Sequence, residues 1–308
     1  MLSGFILAAR HGAEFISPYD LNTHINFLIK RFGRMFPLHW AVLLVVVASM
    51  SFFGEPLYWW THIASEAALM HRWDLFHVPR AALNGPDWSI STEWAANIAF
   101  PIFIWITGFR NRSSLYASLS AVSFVALVVF AERRHGNMNI AEANSMLPLL
   151  RCFAEFGLGI ILFQWRHLFR QVSGDFPALG ISALILAGLW LRYDLLVVFF
   201  MIPLLPALAL NKQLFATTLS RAPFYFLGVV SYSIYLIQIP IITTIDRFLV
   251  GSSFASVAHW LIMLPIVAFA ALTYRFIEKP ANRLFKSFSA NLASRSLEYK
   301  QSNTGSNQ

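Results

Sequence analysis

The chain has 308 residues, 57% of them hydrophobic and only 12% charged, with a mean hydropathy of +0.58. Soluble domains carry roughly 25% charged residues; half that level, with 29 Phe and 10 Trp, excludes an ordinary soluble domain and points to a polytopic membrane protein. A formal charge of +8 would suit a nucleic-acid partner, but the cations lie in short segments between apolar runs and read as topology signals, while the lone Cys152 excludes an internal disulfide and a cysteine-rich metal site.

A membrane span takes roughly 20 apolar residues. Residues 1–10 look like the closing turns of a span; they are too short to cross and lack the basic start of a signal peptide. Segment 22–35 is basic and reads as a loop. Eight candidate spans follow, at 36–53, 88–109, 114–131, 147–165, 177–191, 195–210, 223–245 and 257–277. The fold class is therefore an all-α transmembrane bundle, with 1–286 as one membrane domain. The spans at 177–191 and 195–210 are short, with a tight turn at Arg192, Tyr193 and Asp194. Segment 57–70 is too polar to cross and reads as lying along the interface. Residues 287–308 are polar and read as a disordered tail. With 22–35 placed in the cytoplasm, the inner segments carry 15 Lys plus Arg and the outer ones 6, which puts the C-terminus inside.

The informative polar residues stand out against this apolar background. Glu93 closes Trp88-Ser89-Ile90-Ser91-Thr92-Glu93 and lies inside a candidate span. A carboxylate at membrane depth costs several kcal/mol unless it is paired or faces water, so it reads as functional, or else as a hydrogen-bonding group between helices. Glu93, Ser91 and Trp88 are the candidate catalytic set. Arg151 precedes Glu155 by four residues, so the two share a helix face and form either an ion pair or part of a polar centre. Lys30, Arg31 and Arg34 precede the first full span. They anchor topology, and the two Arg forks also suit the phosphates of a coenzyme A donor. Ser231, Tyr232, Tyr235 and Gln238 complete the candidate polar centre, with 231, 235 and 238 on one helix face. His62, His71 and His77 match no metal-binding spacing and read as loop histidines, so no metal site is expected.

Together these strings resemble the acyltransferase 3 family of integral membrane O-acyltransferases. Leu2-Ser3-Gly4-Phe5-Ile6-Leu7 resembles the end of the family's second span. Arg31, Arg34 and Pro37 resemble its basic motif, and Trp88–Glu93 resembles its W-S-L-S-x-E motif. Arg151, Glu155 and Gly159 resemble its R-x-x-x-E-F-x-x-G helix. Ser231-Tyr232-Ser233-Ile234-Tyr235-Leu236 and Phe276-Ile277-Glu278-Lys279-Pro280 resemble its closing motifs. The resemblance implies transfer of an acyl group, often acetyl, from cytoplasmic acyl-CoA to a hydroxyl of a surface or secreted glycan. It implies no bound cofactor, a bacterial inner-membrane location, and a bilayer, an acyl donor and a glycan as partners. It also implies a preceding span carrying an Arg and a His base, which is expected upstream of Met1. Gln238 stands where many relatives have His, and His39 where Tyr is common. A transporter or flippase of an acyl donor or lipid-linked sugar, and an inactive pseudoenzyme, are the competing readings.

Overall fold

The computed structural model describes residues 1–16, 19–54, 60–73, 83–107, 109, 119, 123, 126–127, 130, 147–191, 193–249 and 261–305. Every regular element among them is helical. In chain order these are α1 (Leu2–His11), α2 (Leu21–Phe52), α3 (Trp60–Ala67), α4 (Asp87–Ile98), α5 (Phe100–Ile106) and α6 (Leu147–Gln164). They continue with α7 (Asp175–Trp190), α8 (Asp194–Leu210), α9 (Leu214–Leu219), α10 (Ala222–Leu249), α11 (Met263–Thr273) and α12 (Lys279–Gly305). The chain forms two compact units, Met1–Tyr19 with Thr92–Phe226, and Asp20–Ser91 with Leu227–Gln308.

Among the described residues, α2 and Ala222–Arg247 of α10 are each long and apolar enough to cross a membrane. Pro148–Gln164 with Arg166–Val172 makes a third if that pair, bent by 75°, counts as one span. The remaining candidates are shorter or broken. Span 88–109 divides at Ala99 into α4 and α5, with Pro101 near the start of the second helix. Span 257–277 contains α11 followed by a π-turn at Tyr274–Glu278. Most of 114–131 lies outside the described residues.

Two expectations are corrected. The loop at 22–35 is helical and continuous with the first span. Asp20 starts that helix early, because its carboxylate accepts both the Thr23 amide and the Thr23 hydroxyl, at 2.9 and 2.7 Å. Residues 287–294 are also helical, within α12. α12 runs antiparallel to α2, with Phe285 seated over Gly33 and the Ser289 hydroxyl donating to Asn26. The order comes from packing that composition alone did not reveal.

In the first unit, α1 lies directly against α6. A Cβ at Gly4 would collide with the Phe156 backbone carbonyl, so glycine sets that approach. Phe5 stands edge-on to Phe163, with centroids 5.4 Å apart. Helices α7 and α8 pack as a pair and are apolar on all sides. Phe176, Leu186, Trp190 and Phe199 face outward there, an exterior suited to lipid. Asp175 ties the far end of this pair by accepting the Asn211 side chain and the Leu214 and Phe215 amides, at 3.0–3.2 Å. Gly4→Ala should force α1 off α6 and destabilise the protein by about 1–3 kcal/mol, read as a lower Tm in detergent. An unchanged Tm would show that the close approach is dispensable.

Candidate active site

The second unit encloses a cluster of polar groups. Helix α3 ends in a Schellman turn, with the Met70 amide on the Ser65 carbonyl and the Leu69 amide on the Glu66 carbonyl, both at 2.8 Å. Leu69 takes the left-handed position, φ 55°, usually held by glycine, and its side chain is fully buried. Two groups of α2 cap the same carbonyl end. His39 Nε2 lies 2.9 Å from the Glu66 carbonyl, and Trp40 Nε1 donates to that of Ala67 at 2.8 Å. The turn then meets α4. The Ser91 hydroxyl donates to the Leu69 carbonyl at 2.8 Å, and Trp73 Nε1 donates to the Ser91 carbonyl at 3.0 Å. Ser91 is thus a tie between α4 and the turn after α3.

Buried titratable groups crowd behind these bonds. Glu66 accepts the Leu83 amide at 2.9 Å. His71 Nδ1 stands 3.3 Å from its other oxygen, and His62 Nε2, one helical turn back, stands 3.8 Å from the oxygen that takes the Leu83 amide. His39 Nδ1 faces Asp87 Oδ2 at 3.4 Å, and Asn84 donates to the other Asp87 oxygen at 3.1 Å. Burial pushes the Glu66 carboxyl up to about 8, and Asp87 adds to the effect. Burial drives His71 down to about 3, with the Arg72 charge acting in the same direction. Burial likewise raises Asp87, opposed by His39. His62 and His71, read from the sequence as loop histidines, are in fact almost wholly buried. His77 lies outside the described residues.

The other predicted residues divide clearly. Glu93, in the first unit, accepts the hydroxyl of Ser3 from α1 at 3.0 Å. That is the interhelical bond expected as its structural role. Arg151 Nε donates to Glu155 at 2.7 Å, so those two are an ion pair along α6. Trp88 is half-buried at the start of α4. In the second unit, Arg31 is half-buried and Arg34 exposed on α2. Tyr232 donates to the Met35 carbonyl at 2.6 Å, two residues before Pro37 within the unbroken α2. Tyr235 donates to the Pro86 carbonyl at 3.0 Å and shares a 2.6 Å bond with Ser89. Ser231 is exposed and bonds its own helix at Gly228, so the 231, 235 and 238 face is not a continuous polar stripe. Ser233, outside that face, donates to the buried Glu278 at 3.0 Å. Gln238 is half-buried.

A family model for an acyltransferase domain (Acyl_transf_3) matches residues 1–275. The chain belongs to the acyltransferase 3 family. Over 92% of its length it is 26% identical to "Acyltransferase MdmB" of Streptomyces mycarofaciens, of which it covers 79%. No solved structure matches it. The protein is an acyltransferase, built on apolar helices that suit a membrane.

Within this acyltransferase the sequence reading missed His39, Glu66, Asn84 and Asp87 as interior groups. One signal was legible: His62 and Glu66 lie four apart, the spacing of one helix face. Asp87 was also legible as the residue directly before Trp88. Nothing local, however, brings His39 to them across 27 residues.

Glu278 yields a prediction about pH. It closes the π-turn, and burial raises its carboxyl above 4.5, opposed by the Ser233 bond and the Arg34 charge. A raised folded pKa favours the neutral form. Its contribution to stability is complete below about 4.5 and is lost as pH rises through the folded value. Tm should therefore decline as pH rises from 4.5 in the wild type, and decline less in Glu278→Gln, which still accepts from Ser233. Parallel Tm–pH curves would refute the assignment.

Proposed function

We propose that this enzyme is an integral membrane O-acyltransferase that moves an acyl group, acetyl in the simplest case, from cytoplasmic acyl-CoA to a hydroxyl of a surface or secreted glycan. The observation that carries the reading is the acyltransferase family match across residues 1–275. The charge bias supports an inner-membrane setting with the C-terminus in the cytoplasm.

The reaction sets clear requirements. The acceptor oxygen attacks the thioester carbonyl, a C–O bond forms, and the C–S bond breaks. The hydroxyl proton must leave the acceptor and end on the coenzyme A sulfur. A positioned base assists such a transfer, and fixed positive charge holds the donor. Glu93 is our candidate for handling the proton, since it is a carboxylate inside an apolar segment whose orientation the Ser3 bond fixes. Arg31 and Arg34 are three apart on α2, so their guanidinium groups share a face. They are the candidate grip for the donor's phosphates.

Glu93→Gln should lower kcat/KM by roughly 10²–10⁴-fold with membrane expression intact, measured as acyl transfer in membranes. Wild-type turnover would reduce Glu93 to a structural tie. Arg31→Ala with Arg34→Ala should weaken binding of a non-hydrolysable acyl-CoA analogue by roughly tenfold or more, about 1.4 kcal/mol, by calorimetry in detergent. Unchanged affinity would leave both residues as topology anchors.

A further inference from the structure

Three helices of the second unit each send one side chain to a common point. His39 comes from the middle of α2, Glu66 from α3, and Asp87 from the start of α4. One ligand atom from each lies within 4.8 Å of the other two, and all three residues are fully buried. The atoms left without a hydrogen bond are His39 Nδ1, Glu66 Oε2 and Asp87 Oδ2.

The other atom of each group is occupied, in the manner that orients metal ligands. His39 Nε2 lies 2.9 Å from the Glu66 carbonyl, which must receive its proton. That tautomer leaves the Nδ1 lone pair facing a carboxylate. Asn84 holds Asp87 Oδ1, and the Leu83 amide holds Glu66 Oε1. One ligand atom of each of these three buried residues thus comes close to the other two.

The spacings also suit a shared ion. His39 Nδ1 is 3.4 Å from Asp87 Oδ2. An N–H···O bond is typically about 2.7–3.2 Å. Ligands bonded at about 2.0–2.1 Å around a tetrahedral ion lie about 3.3–3.4 Å apart. We propose that His39, Glu66 and Asp87 hold a first-row divalent cation. One imidazole with two carboxylates, and no thiolate, suits Zn²⁺. Two buried carboxylates also match the charge of a dication, an arrangement that is costly to bury uncompensated. The ion would clamp α2, α3 and the start of α4 together, directly before Trp88–Glu93. This inference is independent of the donor and acceptor proposed above.

The test uses the full chain purified in detergent without a metal-affinity step, then loaded with Zn²⁺ and gel-filtered. Elemental analysis should find roughly one Zn²⁺ per chain, and X-ray absorption only N/O neighbours at about 2.0–2.1 Å. Chelation should lower Tm, and added Zn²⁺ should restore it; this reading needs no variant. Asp87→Asn and Glu66→Gln, which keep shape, should each weaken Zn²⁺ binding at least tenfold. Wild-type protein that retains no metal, and whose Tm ignores Zn²⁺, Mn²⁺, Co²⁺ and Fe²⁺, overturns the proposal. So do monodisperse variants that bind Zn²⁺ as tightly as wild type.

Discussion

Glu66 is the residue on which the second unit turns. A carboxyl with no solvent is expensive to bury, and it persists only where its surroundings answer it. Its backbone carbonyl lies against the Leu69 amide and His39 Nε2, at 2.8 and 2.9 Å. Its side chain takes the Leu83 amide and stands beside His62 and His71. These contacts join α2 to α3 and fix the route of the chain into Asp87. From there α4 must begin where Ser91 can reach the Leu69 carbonyl. The start of the motif, from Trp88 to Ser91, is thus placed by an acid outside it.

The family's motif residues therefore do different work. Ser91, Tyr235, Ser233 with Glu278, and Arg151 with Glu155 are occupied in ties between or along helices. Gly4 serves contact, because backbone meets backbone where α1 crosses α6. Such bonds and contacts take the place of hydrophobic driving force where helices meet in an apolar solvent. Glu93, with one oxygen held by Ser3, and the two arginines on α2 are the groups to which we assign the proposed chemistry.

Much was legible from one dimension. Low charge and long apolar runs predicted the helical class, and the spacing of Arg151 and Glu155 put the two on one helix face. The failures share a cause. The 22–35 segment is polar enough to read as a loop, yet Asp20 caps it into helix and α12 packs along it. The stripe on α10 follows period 3.6, but Tyr232 and Ser233, off that face, find partners while Ser231 turns outward. Periodicity tells which residues share a face and does not tell which neighbour that face will meet.

The sequence by itself determined that the chain is helical and apolar, that it belongs among acyltransferases, and that Glu93 sits where a carboxylate needs a reason. Those facts rest on composition, local periodicity and short strings, all of which are written along the chain. Only the tertiary structure decided that His39, Glu66 and Asp87 share one buried interior, for they lie on three separate helices. Burial and partnership are properties of the packed chain: whether a carboxylate is solvated, paired or ready to hold an ion depends on atoms tens of residues away.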